Sequence, residues 1–247
     1  MCGRIVLSKS PREIAAAFGL GGVPDLAPRF NIAPGGLIAV VMSGDQDRVL
    51  RRLVWGLAPP PGGRPVPGPR LINARSETID RRETFAESFA RRRCLVPVDG
   101  FYEWKKTGGK SQPYLVRRRD AGLFALAGIW DRWEYPGRQV TDACAIITTA
   151  AAGFMRPIHH RMPVVLAPEH WARWLRSDPA ETAACKSLLV PDESGDLLAH
   201  PVDPRVGKPE FDEPRCLEPW RPGHCGQLDL FGGTATDHNS PEDHEYE

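Results

Sequence analysis

At 247 residues and 41% hydrophobic composition, the chain accommodates one large domain or two small ones around a sizeable core. No apolar run is long enough to span a bilayer, no signal-peptide pattern opens the chain, and six scattered cysteines lack a C-x-x-C pair; membrane, secreted disulfide-rich and zinc-ligating classes are set aside in favour of a protein of the reducing cytoplasm. The net charge of +1 hides an asymmetry: residues 226–247 carry six acidic and no basic side chains, leaving 32 Lys and Arg against 25 Asp and Glu in residues 1–225, which permits a local nucleic-acid groove without demanding one.

The predicted elements follow from cap, period and turn signals. Ser10-Pro11-Arg12-Glu13 is a helix start, with Ser10 as N-cap, Pro11 in the first helical position and Glu13 closing a capping box. The helix runs through Ile14 and Phe18 and stops at Gly19. Residues 37–42 and 48–55 read as strands joined by a hairpin turn at Ser43-Gly44-Asp45. Residues 58–70, rich in Pro and Gly, read as a loop. A helix is predicted over 82–92, with Phe85 and Phe89 four apart, then strands at 94–98, 101–105, 113–118, 123–130 and 143–148. Residues 168–176 and 179–188 read as helices. Many strands and few helices, without regular βαβ alternation, predict an α+β fold: a single domain over residues 1–222, built on a largely antiparallel, barrel-like sheet with a few flanking helices. Residues 223–247, rich in Gly, Asp, Asn, Ser and Glu, are predicted to be a disordered acidic tail.

Four segments carry chemistry-bearing residues. Cys2 stands directly after Met1, and a methionine before a small side chain is commonly trimmed. Trimming leaves one residue with both a free α-amine and a thiol, whose unperturbed pKa values are about 8 and about 8.5. The amine attacks an aldehyde to give an imine, and the thiol then closes a thiazolidine ring, with an effective molarity of about 10⁵ M or more. Within Leu71–Thr78, Asn73 offers a donor and an acceptor and Arg75 a fork suited to phosphate; the competing reading is an Asn in a turn and an Arg on a solvated face. In Asp99–Trp104, a strand places Tyr102 and Trp104 on one face and Phe101 and Glu103 on the other. Glu103 amid apolar surface is a candidate for a raised pKa and for proton transfer, or else an edge-strand carboxylate. In Pro157–Pro163, tandem histidines and Arg161 lie between two prolines expected to forbid regular structure; a histidine there shuttles protons, contacts phosphate, or sits in a solvated loop.

Taken in order, Met1-Cys2-Gly3-Arg4, Arg29-Phe30-Asn31-Ile32-Ala33-Pro34, Trp55-Gly56-Leu57, Ile72–Thr78, Gly100–Trp104 and His159–Pro163 resemble the SOS-response-associated peptidase family over residues 2 to roughly 220. The resemblance implies action on abasic sites in single-stranded DNA in the DNA-damage response, with self-crosslinking, weak lyase activity and autocatalytic removal of Met1. It implies that Cys2 bonds to the abasic deoxyribose, Asn73 orients the sugar or amine, Glu103 transfers protons, and His159, two residues before Arg161, is the active-site histidine. Arg4, Arg75 and Arg161 are expected on DNA phosphates. No metal or other cofactor is expected. The chain departs from the family pattern in lacking a second tryptophan soon after Trp-Gly-Leu, and in carrying Gly207 where an Asn commonly stands.

In the tail, Gln227-Leu228-Asp229-Leu230-Phe231 looks like the peptide with which bacterial proteins dock on the replicative sliding clamp. Leu230 and Phe231 are expected to fill an apolar pocket while Gln227 fixes register, with Leu228 alongside. The expected molecule is a cytoplasmic monomer, nucleoid-associated when bound to DNA. Two other readings compete: a peptidase with Cys2 as N-terminal nucleophile, and a non-covalent binder stacking bases on Trp55, Phe101, Tyr102 and Trp104.

Overall fold

The computed structural model describes residues 2–57, 71–133, 141–176 and 178–220. The loop expected at 58–70 and the tail expected at 223–247, with Gln227, Leu228, Leu230 and Phe231, lie outside the described residues. In chain order the elements are β1 (Ile5–Leu7), α1 (Pro11–Phe18), β2 (Arg29–Ile32), β3 (Leu37–Ser43), β4 (Arg48–Trp55), β5 (Asn73–Arg75), α2 (Glu83–Arg91), β6 (Arg93–Val98), β7 (Gly100–Thr107), β8 (Lys110–Arg118), β9 (Phe124–Trp133), β10 (Thr141–Ala150), β11 (Arg161–Pro163), β12 (Val165–Leu166), α3 (Trp171–Leu175), α4 (Thr182–Ser187) and β13 (Leu197–Pro201).

Local signals account for several of these. Ser10 Oγ accepts the Glu13 backbone N–H while the Glu13 carboxylate accepts the Ser10 N–H at 2.9 Å, closing the capping box. Gly19, at φ 61, ends α1 in the left-handed region that suits glycine. Ile14 and Phe18, four apart, face the core, where Phe18 stacks on Trp171 with ring centroids 4.7 Å apart. The β3–β4 hairpin turns at Gly44, where a Cβ would meet the Asp47 carbonyl oxygen at 2.5 Å.

One sheet has the order β13-β8-β7-β1-β2 and is antiparallel throughout. The other runs β11-β10-β4-β3-β6-β9-β12, and an additional β9–β10 pairing joins its two ends so that β10, β4, β3, β6 and β9 form a ring. The expectation of an α+β, antiparallel-rich fold with a few helices holds. Strand β10 is the exception to the antiparallel rule, pairing parallel with β4 and β5. The main core packs the strands of the ring against α1, α2 and α3, and a second cluster (Val6, Tyr102, Leu115, Val202, Val206 and Cys216) lies on the other face of β7. Tyr102 and Phe101 therefore enter opposite cores, as the alternation of a strand requires.

One expectation is corrected. The segment between Pro157 and Pro163 is not wholly irregular: Arg161–Pro163 is a strand paired with Thr148–Ala150 of β10. It lies at the edge of its sheet, where a proline's missing N–H is tolerated. The helices expected at 168–176 and 179–188 are present, each opening with a 3-10 turn, Pro168–His170 running into α3 and Pro179–Glu181 into α4. Among the described residues no helix is long and apolar enough to cross a membrane.

Candidate functional site

Cys2 is buried just ahead of β1. Its carbonyl oxygen accepts Asn73 Nδ2–H at 2.8 Å. Burial, and then the Glu103 charge, push the thiol far above its ordinary value, against a smaller pull from the positive N-terminus and the Arg4 N–H. Asn73 is fixed by the parallel pairing of β5 with β10, opposite Ile146. Its Oδ1 is buried with no hydrogen-bond partner among the described residues, which leaves an acceptor aimed at whatever donor enters beside Cys2.

Glu103 sits on β7 opposite Tyr114 and is 2% exposed. Burial raises its carboxyl to about 7, with the N-terminal positive charge and the Trp104 backbone N–H holding it back. His159 precedes β11, and its Nδ1 lies 3.0 Å from the Arg161 N–H and 3.1 Å from the Arg161 carbonyl oxygen. Either protonation state of Nδ1 thus finds a backbone partner. Burial lowers the His159 pKa, the Arg161 backbone opposes this, and the N-terminal charge, His160 and Lys106 add to the lowering. One positive charge, at the start of the chain, acts on Cys2, Glu103 and His159 alike. Cys2, just ahead of β1, meets Asn73 of β5 and feels the charge of Glu103 on β7, while His159, before β11, lies under the same N-terminal charge. The site holds a buried thiol, a carboxyl that changes charge near neutrality and an imidazole, which suits proton transfer around a nucleophile.

The three arginines expected on phosphates separate. Arg75 ends β5 and is exposed. Arg161 is bound by both carboxylate oxygens of Glu77, one of them at 3.0 Å, and by the Thr148 carbonyl at 2.6 Å. Arg4 donates to Asn31 Oδ1 and to the carbonyls of Val206 and Gly207. Protein acceptors therefore take up much of the donor capacity of Arg4 and Arg161. The stacking reading loses its platform, because Trp55, Phe101 and Tyr102 are all buried. Among the described residues no group of three or more His, Cys, Asp or Glu could hold a metal ion.

A family profile described as SOS response associated peptidase (SRAP) matches residues 1–209. The chain belongs to the SRAP family. It is 33% identical over 222 residues to the abasic site processing protein YoqW of Bacillus subtilis, covering 88% of this chain and 99% of that protein. It is 29% identical to the abasic site processing protein YedK of Escherichia coli, covering 89% and 100%. Among solved structures, a Bacteroides thetaiotaomicron protein superposes with a TM-score of 0.77 at 26% identity, over 89% of this chain and all of that one.

In this SRAP chain, sequence reasoning missed the groups that brace the site. Asn31 and Glu77 both lie inside segments that carried the resemblance, yet neither was given a role. Their signal was a polar side chain amid apolar or β-branched neighbours, Asn31 between Phe30 and Ile32 and Glu77 before Thr78.

Proposed function

We propose that this SRAP protein binds abasic sites in single-stranded DNA and captures them covalently through Cys2, shielding the lesion in the DNA-damage response. The observation that carries the proposal is Asn73 and Glu103 beside Cys2, with His159 under the same N-terminal charge, in a chain whose relatives bear the name abasic site processing protein. Removal of Met1 by hydrolysis of the Met1–Cys2 bond, consuming one water, is the preparatory step. The sugar of an abasic site opens to an aldehyde at C1′. The Cys2 amine adds to that carbon and water leaves, giving an imine. The thiol then adds across the imine: a sulfur–carbon bond forms and the thiol proton passes to nitrogen, closing the thiazolidine. Sugar opening and imine formation both need proton transfer, and a carboxyl titrating near 7 gives and takes protons at neutral pH. His159 is its partner, and Asn73 orients the amine or sugar. β-Elimination from imine that escapes closure accounts for weak lyase activity.

A peptidase acting on other chains is the lesser reading. Such an enzyme needs a thiolate, and burial with Glu103 alongside drives this thiol toward its neutral form. A second element of the proposal is that Gln227, Leu228, Leu230 and Phe231 dock on the replicative sliding clamp.

The deciding experiment incubates the protein with single-stranded DNA carrying one abasic site and looks for a heat-stable shifted band. Cys2→Ser should abolish it, and the adduct mass should equal protein without Met1 plus DNA less one water. A Cys2→Ser protein that still gives the band, or capture undiminished with methionine in place, sinks the proposal.

A further inference from the structure

We propose that Arg4 is a positioning residue, clamped by a strap of residues 202–212 so that it holds Cys2 in the reactive place. This rests on the reading of Cys2 given above. The clamp joins three stretches far apart in sequence. Arg4 Nη1 donates to Asn31 Oδ1 at 2.8 Å and to the Val206 carbonyl at 2.7 Å, and Nη2 donates to the Gly207 carbonyl at 2.8 Å. Asn31 is itself buried, and its Nδ2 lies within 3.0 Å of the carbonyls of Val206, Lys208 and Phe211. The Asp212 carboxylate accepts the backbone N–H groups of Phe30 and Asn31 and pairs with Arg29. The strap is fastened beneath by Val202 and Val206 in the second core, against Val6, Tyr102 and Leu115.

The main chain of Arg4 passes this restraint to the chemistry. Its carbonyl accepts the Tyr102 N–H at 3.0 Å, beside Glu103, and its own N–H, two residues from Cys2, exerts a small pull on the thiol. Strap, guanidinium and Arg4 backbone therefore form one continuous series of hydrogen bonds that ends two residues from the reactive sulfur. A planar fork spans an amide oxygen and two carbonyls, whereas a lysine ammonium offers one point and no fork. A phosphate contact is served by either cation, so the Arg4→Lys variant separates the two roles.

Arg4→Lys and Arg4→Gln should both lower the single-turnover crosslinking rate at saturating DNA by about 100-fold, the loss expected from misplacing a reacting group by about 1 Å. The half-saturating DNA concentration and its salt dependence should stay unchanged. In the DNA-free protein both variants should speed iodoacetamide alkylation of Cys2 several-fold while Cys94 and Cys144 stay protected, read by peptide mass spectrometry. Asn31→Ala, which removes the hub and leaves the arginine, should show the same pattern. A salt slope shallower by about one in Arg4→Gln with Arg4→Lys near normal makes Arg4 a phosphate contact and overturns the inference. So does alkylation that is unchanged in all three variants or spread over the core cysteines. Failure of the wild-type protein to crosslink would instead overturn the reading of Cys2, with the alkylation arm still judging the clamp.

Discussion

Glu103 carries a proton that leaves near pH 7 in the folded protein and near the ordinary 4.5 once burial is lost. Between those values the native state holds the extra proton, so stability falls as pH rises from about 4.5 to about 7 and stays reduced above that. Glu103→Gln removes the buried charge. The variant should therefore melt above the wild type at about pH 8, and the gap should close toward pH 4.5. The same substitution should cut crosslinking by about 10²–10⁴-fold and flatten the step near pH 7 in its pH–rate profile. Calorimetry and single-turnover gels read the two effects separately. A buried group that weakens the fold fits the proposed proton-transfer role better than a structural one. Its apolar setting was visible in Gly100–Trp104 because strand alternation alone puts Phe101 and Glu103 on one face. The fate of Arg4 and Arg161 was not visible. An arginine before phosphate and an arginine before backbone carbonyls are the same letter, and only the tertiary arrangement brings Val206, Gly207, Glu77 and Thr148 to them.

At the scale of elements, α1 is written in its own residues: removing the Ser10 hydroxyl in Ser10→Ala should cost about 1 kcal/mol in urea unfolding, with crosslinking unaffected. Helices α2 and α3 depend on a more distant partner. Arg93 is 1% exposed, and its guanidinium donates to the carbonyls of Trp174, Phe89, Ala90 and Arg176 at 2.7 to 3.1 Å. Four carbonyls around the ends of α2 and α3 share one cation, which burial drives toward its neutral form. Arg93→Leu removes the guanidinium donors from those oxygens and should cost roughly 3–5 kcal/mol, read from the denaturation midpoint. The long strands β3, β4, β6, β7, β8, β9 and β10 were legible because each pairs alternation or an apolar run with turn residues at its ends. The three-residue strands β5 and β11 were not, since three residues carry no period. Both are defined by β10, against which they lie, and they bear or adjoin Asn73 and His159.

For the whole molecule, the ring of β10, β4, β3, β6 and β9 makes a frame in which the chemical groups arrive from separated parts of the chain. Residues 226–247 lie beyond this frame in sequence and take no part in the proposed capture. Deleting them should leave melting temperature and crosslinking unchanged and abolish binding to a purified sliding clamp; equal clamp affinity with and without them discards docking through Leu230 and Phe231. Six ordered motifs made the family legible from sequence, because chemistry constrains identity more tightly than packing does. The strap over β2 was not legible, since its contacts to Asn31 run mainly through backbone carbonyls that every residue possesses.

The seclusion of Cys2 carries one last consequence. A cell offers sugars, peroxides and metabolic electrophiles in great excess over damaged DNA, and an open aminothiol would be spent on them. A neutral sulfur walled off from solvent reacts slowly with all of these, so under the proposed capture discrimination rests on access to Cys2 instead of on intrinsic appetite. On that proposal the sulfur stays unspent until a strand delivers its lesion.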